Sequence, residues 1–137
     1  MADERGTVTL WVLGLCVAVL FLGGLSLDLW RAVGDRRELA GMADAAASAG
    51  ANGLDENALR AGRLRLDPVR VEALARATLD QFPHARVLDR VDIRVEGIRV
   101  VVTLRDHVNF SLLGVFMPGR QFTVEVAAGA QPHENAR

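Results

Sequence analysis

Several things are scarce in this chain of 137 residues, and each scarcity excludes something. The single cysteine, Cys16, rules out an intrachain disulfide, and its apolar surroundings suit a thiol acting as a small hydrophobe. Lysine is absent, so every basic side chain other than histidine is an arginine. These arginines are interspersed with Asp and Glu to a formal net charge of -1, which leaves no footprint for nucleic acid and no acid-binding surface. No nucleophile elbow, phosphate-binding glycine loop or metal motif occurs. His84, His107 and His133 fall in separate stretches without ligand spacing, and lone surface histidines are the expectation. Catalytic residues, cofactor, metal, nucleic acid and small-molecule substrate are therefore not indicated, and the chain does not read as an enzyme.

The most consequential absence is between Thr7 and Leu27, where there is neither charge nor proline. About 20 apolar residues let an α-helix cross about 30 Å of hydrocarbon, and helix is the form that satisfies a lone segment's backbone there. A transmembrane helix is expected over 7–27, with 1–6 as a short cytoplasmic N-terminus. A secretory signal is the rival, but the run exceeds the usual ~7 to 15 residues and no small-x-small cleavage site follows it closely. Trp11 and Trp30 stand near the two ends, where indole rings anchor at headgroup level. Gly14 with Ala18, and Gly23 with Gly24, would allow close approach of a second helix.

Past Asp28 the composition is polar but still helix-forming as far as Ala51, and Asn52-Gly53 supplies a stop. One helix of roughly 65 to 70 Å is expected to include both the span and a stalk over 28–51. Asp28, Arg31 and Asp35 lie on one helical face, expected to be solvated, with Asp28 marking the membrane edge. From Ala40 to Ala51 the residues are nearly all small. Gly41, Asp44, Ala45 and Ala46 are candidate helix-packing positions there, since so bare a helix needs a close neighbour or frays.

The order Arg5-Gly6, apolar run, Leu27-Asp28-Leu29-Trp30-Arg31, Arg37-Glu38-Leu39, Ala43-Asp44-Ala45-Ala46 and Ala49-Gly50-Ala51 resembles the N-terminal segment of TadE/TadG-like proteins of Flp (tight adherence) pilus assembly. The resemblance covers about a third of the chain. It implies a non-enzymatic, single-pass, pilin-like membrane component at the bacterial cell surface. It also implies a C-terminal domain outside the cytoplasm, and partners among other pilus-assembly proteins or copies of the same chain through the N-terminal helix. TadE-like pseudopilins are similar to prepilins that are clipped after a glycine and carry glutamate at the fifth mature residue. After Gly6 that residue would be Trp11, which favours the uncut TadG-like side of the family. Arg31, Arg36 and Arg37 follow the span while only Arg5 precedes it, so the positive-inside rule points the other way on orientation.

The remainder reads as one small α+β domain over 67–128 behind a linker, 52–66, in which a short helix begins at Asp55. Asp67-Pro68 is an N-cap with proline at the first helical position, and Val71, Leu74, Ala75, Thr78 and Phe82 recur at helical spacing before Pro83. Val91 to Val95 and Ile98 to Leu104 alternate in opposite parity around Glu96-Gly97, which predicts a hairpin pairing Val95 with Ile98. Phe122, Val124 and Val126 repeat the alternation as a third strand. The second amphipathic helix should pack on this antiparallel three-stranded sheet. Between strands two and three, Phe110, Leu112, Leu113 and Phe116 form an apolar excursion that is a possible docking patch. Residues 129–137 look like a flexible tail. The alternative is a stand-alone membrane-anchored binding or sensing domain, which predicts a deep polar pocket.

Overall fold

A computed structural model describes residues 4–108 and 122–132. Its elements are α1 (Glu4–Gly50), α2 (Glu56–Arg60), α3 (Pro68–Leu79), a 3-10 turn (Pro83–Val87), β1 (Arg90–Glu96), β2 (Arg99–Val108) and β3 (Phe122–Ala130). The architecture is α+β, with one antiparallel sheet in the order β1-β2-β3. Packing separates two units, the first formed around residues 1–34 and the second comprising Asp35–Val108 and Gln121–Arg137.

In the first unit α1 is apolar and exposed along most of its surface, and it is long and apolar enough to cross a membrane. The Ser26 hydroxyl donates back to the Leu22 carbonyl at 2.9 Å, which satisfies it within the helix. Gly24 and Asp28 depart from the exposed pattern, Asp28 at 2 % exposure. The face expected to be solvated is therefore divided: Asp28 is buried, Asp35 half-buried and Arg31 exposed. A buried carboxylate persists when it is paired, and Asp28 is not without a partner.

The second unit is built around the last turns of α1. Leu39, Met42, Ala43, Ala46, Ala47 and Ala51 are buried, at the three- and four-residue steps that define one helical face. With them pack Val71, Ala75 and Leu79 of α3 and Val100, Val102 and Leu104 of β2. The close neighbour that the bare helix demands is thus the chain's own sheet and α3. The sequence assigns 28–51 to a stalk, but packing groups Asp35 onward with the domain. The small residues are what permit it: a Cβ on Gly50 would meet a methyl of Val100 at 3.2 Å and one of Val71 at 3.3 Å.

Local signals account for the other elements. Asp55 and Asp67 cap α2 and α3 through their carboxylates, the latter accepting from the Val69 amide at 3.0 Å, with Pro68 at the first position. The buried face of α3 is Val71, Ala75 and Leu79, spaced by four. Leu74 is 41 % exposed, and Phe82 joins the core from beyond the helix end. The hairpin register also differs from the expected one, with Val95 opposite Val100 and Ile98 in the turn. Gly97 has φ +64, whereas among the described residues no residue other than glycine, Ile98 included, has positive φ. A two-residue turn of this kind puts the glycine first, so the turn is Gly97-Ile98. The shift is two residues, parity survives, and both strands keep their apolar side chains on one face. At the other end, β3 continues through Gly129 and Ala130, opposite Val101 and Val100, so the tail starts later than residue 129.

α1 ends through successive turn hydrogen bonds, Ala51 N–H to Ala47 O and Gly53 N–H to Gly50 O, the latter at 2.8 Å. Gly53 is required by closeness: a Cβ there would lie 2.7 Å from the Val71 nitrogen. Gly53→Ala is expected to lower the unfolding free energy of the detergent-solubilised chain by about 1–3 kcal/mol, the usual cost of overpacking. Gly41→Ala, where a Cβ meets open space within a helix, should leave it unchanged or raise it by under about 1 kcal/mol. Denaturant titration of both variants checks the contrast.

Candidate functional site

Two regions carry the residues singled out from sequence. On the membrane helix, Leu10, Trp11, Gly14, Leu15 and Ala18 line a shallow apolar recess in which Gly14 and Ala18 supply the missing bulk. Trp11 and Trp30 are 77 % and 80 % exposed, free to meet an interface. Gly23 and Cys16 are exposed on this helix, whereas Gly24 is buried like Asp28 one turn later. Farther along, Gly41 and Asp44 are exposed, Ala45 is half-buried and Ala46 is inside the domain's own core. The expected docking residues Phe110, Leu112, Leu113 and Phe116 lie outside the described residues, as does His133.

The second region is polar, and sequence reasoning missed it. His84 and His107 were read as lone surface residues, yet both are paired with carboxylates. His84 Nε2 donates to Asp106 Oδ2 at 2.8 Å, and its Nδ1 lies 3.9 Å from Glu38 of α1. Asp106 also accepts from the His107 amide through Oδ1 at 2.8 Å, while the His107 ring pairs with Asp89. Pro83 positions His84 at the start of the 3-10 turn, and β2 presents Asp106 across from it. The partners are 22 residues apart in sequence, a separation that no local pattern reveals.

The Asp106 carboxylate holds the His84 ring above the ordinary histidine value of 6.5, against the opposing effect of burial, and Glu38 and Asp35 act in the same direction as Asp106. This cluster joins α1, the 3-10 turn and β2 within one unit. Among the described residues no group of three or more His, Cys, Asp or Glu side chains is arranged to hold a metal ion.

Elsewhere the polar recesses are open clefts. One of them, about 870 Å³, is lined by the end of α1 and the paired ends of β2 and β3, and among the described residues Arg99 is the charged side chain in its wall. Arg99 lies flat over Gly129, where a Cβ would come 2.7 Å from its Nε. That is a packing contact, and it occupies the cleft wall.

Against this geometry, residues 6–53 match the family described as "Putative Flp pilus-assembly TadE/G-like". The N-terminal segment is similar to that family. No curated protein and no solved structure matches the chain. The match runs from Gly6 to Gly53, so it includes both the apolar run and the helical turns that enter the domain core. The similarity covers about a third of the chain, on a helix long and apolar enough to cross a membrane, and it points to involvement in Flp pilus assembly.

The His84 cluster makes a pH prediction with a definite sign. A folded-state value raised above the unfolded one gives stability that is complete below about pH 6.5 and is lost as pH rises through the raised value. The unfolding midpoint should therefore fall as pH rises above about 6.5, and His84→Gln should flatten that dependence. A variant whose midpoint tracks the wild type across this range would remove His84 as the cause.

Proposed function

We propose that the protein is a permanently anchored, single-pass component of a Flp or type IV-related pilus or secretion apparatus, on the TadG-like side of its family. The observation that carries this reading is the TadE/G-like match over residues 6–53 on a helix long and apolar enough to span a bilayer. The absence of an acid between Thr7 and Leu27 supports an uncut anchor, since a neighbour's new N-terminus would find no carboxylate there. Residues 1–6 stay cytoplasmic and the α+β domain lies outside the cytoplasm.

The work is protein-protein contact. Gly14 and Ala18, at a spacing of four, give another membrane helix the close approach that dispersion between helices needs in lipid. Other pilus-assembly proteins are the partners, and Trp11 and Trp30 fix the helix depth. The apolar side chains Phe110, Leu112, Leu113 and Phe116 are candidates for docking on the assembly. A stand-alone binding or sensing domain draws no comparable support, because the Arg99 cleft is open and its arginine is already packed over Gly129.

Intact mass of the chain from native membranes, with protease accessibility in spheroplasts, tests the topology. The expected result is a full-length chain whose domain is cleaved from outside. Loss of the first six residues would make it a processed pseudopilin, and a domain protected until lysis would reverse the orientation. Gly14→Leu with Ala18→Leu should leave protein level unchanged and abolish assembled pili. Normal piliation in that double variant would remove the helix contact from the account.

A further inference from the structure

The outward edge of β1 carries a charge pattern complementary to itself. Among the described residues β1 pairs only with β2, and no backbone hydrogen bond reaches its other side. An open strand edge is a template for another strand, and charged side chains usually guard it. Here the sequence reads Arg90, Val91, Asp92, Ile93, Arg94, Val95, Glu96. Reversed about Ile93, every residue meets a complement: Arg90 with Glu96, Asp92 with Arg94, Val91 with Val95 and Ile93 with itself. The guarding charges repel a generic strand and fit a second copy of this one.

Backbone geometry agrees with the charges. Glu96 and Arg99 close the two-residue turn as a directly opposed pair. In an antiparallel ladder hydrogen-bonded and non-bonded pairs alternate, so residues 90, 92, 94 and 96 direct their amides and carbonyls at β2. Residues 91, 93 and 95 direct theirs at the open side, the set that a twofold pairing centred on Ile93 requires. Side chains agree as well. Val91, Ile93 and Val95 are half-buried, unlike Val100, Val102 and Leu104 one strand in, and a second β1 alongside would extend that apolar face. Arg94 now turns on Asp92 of its own strand at 2.6 Å, with Arg94 70 % exposed and within reach of a facing strand.

The other edge has no such code. β3 offers a single charge, Glu125, already held by Arg105 at 2.7 Å, and ends in Ala127, Ala128, Gly129 and Ala130. A register along it would be weakly specified. We propose that two copies of this chain associate through antiparallel β1–β1 pairing centred on Ile93, giving a continuous six-stranded sheet, independently of any contact made by the membrane helix.

The test uses the full chain in detergent micelles, in a Cys16→Ser background. Directly opposed strand residues lie about 5.5 Å apart at Cα, within disulfide range, so Ile93→Cys should oxidise to a covalent dimer. Ile98→Cys, at the turn tip, should not. Adding Arg94→Glu, which places like charges opposite Asp92, should cut cross-linking at position 93 on the order of tenfold. Adding Asp92→Arg with Arg94→Asp instead, which restores complementarity with the charges exchanged, should recover it. Cross-linking at 93 no better than at 98, or indifferent to Arg94→Glu, or not recovered by the exchange, would overturn the proposal. A dimer held only by the membrane helix gives one of those results.

Discussion

The contact on which the second unit depends is that between the small-residue turns of α1 and the apolar face of β2. Ala43, Ala46 and Ala47 are fully buried, and beside them Leu39 and Met42 fill the larger gaps, each worth about 1.5–3 kcal/mol when removed from water. The alanines themselves contribute less area. Their value is the approach they allow, since a helix with alanine and glycine on its inner face lets Val100, Val102 and Leu104 pack directly on its backbone. A domain of this size has a modest core at best, and using the end of the anchoring helix as a central member adds to it. Anchor and core are therefore parts of one covalent element, α1.

That arrangement explains where polar interactions accumulate. His84, Asp106 and Glu38 tie the 3-10 turn, β2 and α1 at one end of the core, and Asp89 and His107 continue the cluster. The exposed ion pairs Arg76–Glu72 and Arg105–Glu125 each secure one element or one strand pair and add little individually. The His84 cluster ties α1, the 3-10 turn and β2 together, and a raised proton affinity is its physical signature.

Much of this was legible without coordinates, because the signals were local. An uncharged run, an Asp-Pro cap and period-two alternation specify the span, α3 and the three strands. The hairpin register was missed by two residues because dipeptide propensity named Glu96-Gly97, while the turn needs its positive φ at the first central position. Leu74 was misread as core because its helical spacing fits the face nearly as well as that of Leu79, and only the docked position of α3 separates them. Ala46 could be marked as a close-packing residue, but whether its neighbour was another protein or the chain's own sheet was not encoded locally. The histidine pairs were invisible for the same reason. The Gly14 and Ala18 recess, by contrast, follows directly from side-chain size on a helix.

The central claim is that the small-residue end of α1 is this domain's own core, leaving the helix to meet its partners elsewhere. Hydrogen exchange on Ala46→Leu in the full-length chain tests it directly. Ala46 has no exposure, so a leucine there should displace the sheet, and amides of β2 from Val100 to Leu104 should lose protection. Wild-type protection of β2 in a well-expressed Ala46→Leu protein would contradict the account and return the alanine face to a partner helix.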